Sequence, residues 1–144
     1  MTSSNSAYIT SREFLDMAIE LEKDSVSFYQ TLEQQVEPGA VSQLLAMLRK
    51  EEAQHVATLT NWVLTEPDAM MQFSPDLISQ MPDAPEGPLS LSDLIELAIE
   101  RERIAKEAYL AAARSVTGDF RAMIEAFAVF EEEHEEKLRS MRNI

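Results

Sequence analysis

The chain contains no cysteine. That absence removes disulfides, iron–sulfur clusters, thiolate zinc sites and cysteine nucleophiles together. Any metal must be held by oxygen and imidazole nitrogen. Nothing points to an oxidising compartment, so a cytoplasmic location is the expectation. No apolar run approaches the roughly 18 residues that would mark a membrane span. Basic residues are also scarce: 12 Lys and Arg against 26 Asp and Glu leave a formal charge of −14, which repels nucleic acid and anionic membranes and draws cations. Residues 1–10 lack both a basic and an apolar region, and read as a flexible N-terminal tail rather than a signal peptide.

Glycine is confined to Gly39, Gly87 and Gly118. These and the prolines divide residues 11–144, read as one domain, into four long segments of helical composition with almost no strand signal. The segments cover about 11–36, 39–65, 90–117 and 119–142, with Ser90 or Ser92 and Asp119 as N-cap candidates. Two of the three linkers are short and make antiparallel hairpins. The third, 66–89, holds five of the six prolines and is long enough to cross the length of a bundle. A short extra helix is expected over 75–81, with Met70, Met71, Phe73 and Leu77 tucked against the bundle. The expectation is an all-α four-helix bundle.

The two halves repeat. AIELEKDSVSFY (18–29) aligns with AIERERIAKEAY (98–109), and EEAQH (51–55) with FEEEH (130–134). Alternating steps of three and four along each segment give an axial stripe that is apolar at both ends. Near the middle these stripes carry Glu22, Glu52 with His55, Glu102, and Glu131 with His134. Four carboxylates at one buried level would cost several kcal/mol each unless paired or metal-bound. Arg101, Arg103 and Lys106 fall off the stripe, so no cation on it neutralises them. Two divalent ions would balance four carboxylates; the competing reading is a metal-free polar layer.

The i, i+3 spacing of Glu52 and His55, and of Glu131 and His134, puts each pair on one helix face. Each pair could grip one metal while Glu22 and Glu102 bridge or chelate from facing helices. One glutamate from each of two helices with Glu-x-x-His from the other two is the ligand pattern of ferritin-like di-iron and di-manganese proteins. Mixed carboxylate and imidazole donors suit iron or manganese, with zinc able to intrude. Tyr29 and Tyr109, two turns beyond Glu22 and Glu102, are either core aromatics or hydrogen-bond donors to the ligand carboxylates. Glu51, Glu132, Glu133, Glu135 and Glu136 read as solvated, Glu20 and Glu100 as surface, and Trp62 as a packing residue.

On Ala18-x3-Glu22-x6-Tyr29, Glu52-x2-His55, Ala98-x3-Glu102-x6-Tyr109 and Glu131-x2-His134, the chain resembles the rubrerythrin branch of the ferritin-like superfamily over about residues 11–142. The resemblance implies a ferritin-like bundle and a non-haem centre of two iron ions. It also implies reaction with peroxide or oxygen, and a dimer or larger homo-oligomer. Rubrerythrins proper carry a four-cysteine rubredoxin-like domain; without cysteine here, electrons would come from a separate donor. The family's peroxidases also use a further glutamate one turn past the third-helix ligand. That position is Ala105, with Ser25 as its repeat mate, which counts against efficient peroxide reduction. The expected activity is Fe(II) oxidation with oxygen or peroxide. The alternatives are an iron-binding or storage component and a zinc-stabilised structural bundle.

Overall fold

The first long helix, α1 (Ser11–Glu33), begins at a capping box. The Glu13 N–H donates to Thr10 Oγ1 at 3.0 Å, and the Thr10 N–H donates to Glu13 Oε1 at 2.8 Å, so two amides that the helix leaves open are satisfied reciprocally. In the computed structural model, which describes residues 7–142, α1 is preceded by a strand, β1 (Tyr8–Thr10), and followed by α2 (Ala40–Thr60). A second strand, β2 (Met70–Gln72), and a one-turn helix, α3 (Asp76–Ser79), lie in the crossover before α4 (Leu91–Ala113) and α5 (Gly118–Ser140). The four long helices form the expected bundle of two hairpins.

Helix α4 starts at Ser90, whose side chain accepts from the Asp93 N–H at 3.1 Å. The N-cap of α5 is Thr117, not Asp119. Between them Gly118 takes φ +66, a conformation that costs other L-residues about 1–2 kcal/mol, so the tight α4–α5 turn requires glycine.

The strand pair is a departure from expectation. β1 and β2 pair antiparallel, with Ile9 opposite Met71, so Tyr8–Thr10 is ordered structure. The tail reading for residues 1–6 lies outside the described residues. Strand alternation turns Met71 into the core and leaves Met70 exposed, which corrects the expectation that Met70 packs inward. Phe73 is buried, and Leu77 and Trp62 pack partly buried against the same cluster.

The core divides in two. One apolar cluster includes Phe14, Leu15, Leu59, Met71, Phe73, Ile124 and Phe127. The other includes Phe28, Leu32, Leu45, Leu48, Leu94, Ile95 and Leu138. The glutamates at mid-helix lie between these clusters. Arg101 is off the axial stripe, as its spacing requires, yet only 5% exposed. It donates to the Pro82 carbonyl at 3.0 Å and to Ser25 Oγ at 3.3 Å, with the Phe28 ring 4.9 Å from its guanidinium carbon. This buried cation ties the far end of the crossover to the bundle rather than neutralising the glutamates.

Candidate metal centre

Glu22 on α1, Glu52 on α2, Glu102 on α4 and Glu131 on α5 are each at most 1% exposed. His55 and His134 join them, at 8% and 1%. His55 Nδ1 lies 2.8 Å from Glu22 Oε1 and 2.9 Å from Glu52 Oε1. His134 Nδ1 lies 3.4 Å from Glu102 Oε1 and 3.7 Å from Glu52 Oε1. The two imidazoles are nearly parallel, with centroids 5.9 Å apart. All six residues singled out by the repeat therefore meet at one level.

They meet as two overlapping groups. Glu22, Glu52, His55 and Glu131 form one, and Glu52, Glu102, Glu131 and His134 the other; within each group a ligand atom from every residue lies within 4.8 Å of the rest. Glu52 and Glu131 belong to both. Of the two roles open to Glu22 and Glu102, bridging or chelating, the grouping fits the second: the shared residues are the glutamates of the Glu-x-x-His pairs, and Glu22 and Glu102 sit at the ends beside His55 and His134. Spacing along one helix could not show this, because it depends on α2 and α5 meeting across the bundle axis.

The polar atoms here are poorly satisfied. Both oxygens of Glu52, both of Glu131, Glu102 Oε1 and His134 Nδ1 are buried without a hydrogen bond of good geometry. Buried polar atoms are nearly always paired, so six orphans in one layer mark missing partners. Two cations between the groups would supply them, and hard oxygen with imidazole donors fits iron, manganese or zinc.

Without metal, protons take the cations' place. Burial, then the neighbouring Glu22 and Glu102 charges, pushes the Glu52 carboxyl up to about 8. Burial, then Glu102 and Glu52, raises Glu131 well above the carboxylate range. Burial works against a charged His55, but its hydrogen bond to Glu22 and its close contact with the Glu52 carboxylate outweigh that and push it up to about 10. His134 follows the same logic through Glu102 and reaches about 9. Protons and metal ions are thus alternative ways to discharge the same layer.

The tyrosines act across the repeat. Tyr29 of α1 donates to Glu102 of α4, and Tyr109 of α4 donates to Glu22 Oε2 of α1 at 3.1 Å. Burial holds both phenols well above their usual range, so each remains a donor. Each hairpin therefore positions the end glutamate of the other.

Two flanking acids are not simply solvated. Glu51 is half-buried, and its Oε1 accepts from His134 Nε2 at 2.8 Å. Glu135 is buried and binds Lys106 and Arg139. Burial pushes its carboxyl up, but the two cations together hold it below the usual range. Position in the repeat carried a signal for Glu51, since its mate in the second half is Phe130 rather than an acid.

Among the described residues no helix is long and apolar enough to cross a membrane. Comparison with known proteins bears on the fold and the family. A hypothetical protein from Pyrococcus furiosus has a solved structure that matches with TM-score 0.70 at 23% identity, over 92% of this chain and 87% of that one. A Thermotoga maritima protein, provisionally described as a ferritin-like diiron-carboxylate protein, matches with TM-score 0.73 at 21% identity, over 94% and 96%. At such identities these likenesses show the shared fold. No curated protein matches the sequence. The profile of the rubrerythrin family matches residues 13–142, nearly the whole bundle and all six clustered residues, and the chain belongs to that family.

Proposed function

We propose that the chain is a non-haem di-iron carboxylate oxidoreductase that oxidises Fe(II) with oxygen or peroxide as acceptor. The observation that carries this reading is the pair of metal-sized groups sharing Glu52 and Glu131, with six orphaned polar atoms between them. In this reading Glu22, Glu52, His55, Glu102, Glu131 and His134 are the metal ligands. Glu52 and Glu131, which belong to both groups, would be held in common, while Glu22 with His55 and Glu102 with His134 would complete one group each. Bound iron supplies one-electron chemistry between its ferrous and ferric states, and the oxidant receives the electrons.

The chain's own residues supply the rest. His55 and His134 present Nδ1 inward and must give up the proton each holds there before they can act as ligands. Tyr29 and Tyr109 fix the outer oxygens of Glu102 and Glu22 by hydrogen bonds, which limits the carboxylates to a few orientations. The apolar clusters above and below keep bulk water from the layer and strengthen its electrostatics. Ala105 is buried and apolar, and Ser25 is occupied by Leu21 and Arg101. No seventh carboxylate enters from these positions. Electrons for repeated turnover would come from a separate donor, since this chain has no cysteine to hold a redox iron of its own.

The test is anaerobic Fe(II) loading of metal-free protein, with oxidation followed optically after adding oxygen or peroxide in separate runs. The reading expects two irons per chain and ferric absorption that grows with at least one oxidant; the faster oxidant names the activity. Two irons without oxidation by either would refute the oxidoreductase reading. Many irons per chain would replace it with storage.

A further inference from the structure

The two halves of the centre are not equivalent, because the repeat is broken at one position beside it. Glu51 and Phe130 are repeat mates, one residue before Glu52 and Glu131. Glu51 reaches from α2 to α5 and accepts from the outer nitrogen of His134 at 2.8 Å. The corresponding place beside His55 is taken by the Phe130 ring, stacked on the imidazole with centroids 5.1 Å apart and an interplanar angle of 23°. Among the described residues no carboxylate lies against the outer nitrogen of His55; its ion-pair contacts all run through Nδ1. His134 is 1% exposed and His55 8%, and the Phe130 that covers His55 is itself 40% exposed.

A carboxylate on the outer nitrogen fixes the imidazole tautomer, orients the ring and makes the inner nitrogen a stronger donor. An aromatic face does none of these. Removing such an outer partner commonly weakens metal binding about 10- to 100-fold. We propose that Glu51 is a positioning residue that makes the His134 end of the centre the tightly held metal position, and that the His55 end, where the Phe127 and Phe130 rings rather than a carboxylate lie against the imidazole, is the one that fills last and exchanges first. The inference rests on the dinuclear reading above, but concerns which end of the centre holds its ion.

The probe is Co(II), titrated anaerobically into metal-free full-length protein and followed by its visible absorption and by calorimetry. His55→Ala leaves only the His134 end intact, and His134→Ala only the His55 end. The expected result is that the His55→Ala protein binds its ion about tenfold or more tightly than the His134→Ala protein. Adding Glu51→Gln weakens binding about tenfold in the His55→Ala background and leaves the His134→Ala background unchanged. Adding Phe130→Glu does the converse, strengthening binding in the His134→Ala background alone. A merely structural role for Glu51 would weaken both backgrounds alike, and that result overturns the proposal. Equal affinities in the two single-histidine variants overturn it as well. If the parent protein takes up no Co(II) at all, the dinuclear reading falls with it, and the two failures are told apart by that control.

Discussion

Glu52→Gln should stabilise the metal-free protein while disabling the metal centre. At pH 7 the buried Glu52 carboxyl, pushed up to about 8, keeps a proton that the unfolded chain releases near 4.5. Holding that proton at pH 7 costs the folded state about 3 kcal/mol. Glutamine has nearly the same shape and no ionisation to suppress, so it removes the cost, and His55 keeps its 2.8 Å partner in Glu22. For a chain of this size about 3 kcal/mol corresponds to a melting point roughly 10 °C higher. The sign with pH follows from the raised carboxyl. The parent's penalty is absent below about 4.5, grows as pH rises and is complete above about 8, so the variant's advantage widens over that window. Adding Mn(II) or Fe(II) anaerobically reverses the order, because the parent gains binding energy and the variant lacks a carboxylate common to both positions. Scanning calorimetry at several pH values, with and without metal, reads all of this. A metal-free variant that melts below the parent at pH 7, or one that still takes up two ions, would refute the reasoning.

Loading the metal-free protein at pH 7 should expel about three to four protons per two ions, from His55, His134, Glu52 and Glu131. Calorimetry in buffers of different ionisation enthalpy counts them, and uptake without proton release contradicts the exchange. Through His55 the metal-free protein should also lose stability as pH rises from 6.5 towards 10, the interaction being fully present below that window; pH-resolved melting checks it. Tyr109→Phe strands one oxygen of Glu22 and should cost metal-loaded protein about 1.5–3 kcal/mol, the range for a hydrogen bond to a charged group. Denaturant unfolding measures it, and an unchanged midpoint would show that the 3.1 Å contact is idle. Arg101→Lys removes the planar reach to Pro82 and Ser25 and should speed proteolysis within residues 66–89 without altering metal stoichiometry; equal cleavage rates would mean the crossover is held elsewhere.

The bundle and its six clustered residues were legible because both arise from periodicity. A seam repeating every three to four residues, with a glutamate at the same place in all four stripes, has few other interpretations in a chain with so little glycine. What escaped was whatever depended on one helix meeting another. Spacing made Glu52 and His55 a pair, but not Glu52 and Glu131 the shared elements, since that follows from the approach of α2 to α5. The same holds for Glu51, whose partner is on α5, and for Glu135, drawn inward by Lys106 of α4. Arg101 falls off the stripe by spacing, yet burial does not require the axis: its side chain lies under the crossover and on Phe28. The three-residue strands are shorter than any alternation pattern can resolve. Only the β-prone run Tyr8-Ile9-Thr10 hinted at them.

Each end of the centre draws ligand atoms from both hairpins: Glu131 of the second completes the His55 group, and Glu52 of the first completes the His134 group. A folding chain with only one hairpin formed can therefore assemble neither group. Metal affinity belongs to the finished tertiary structure rather than to any intermediate on the way to it. An ion bound there would act as a kinetic lock, adding its binding energy to the barrier against separating the hairpins while doing little to hasten their first encounter. A chain opened between its halves would surrender both ions together.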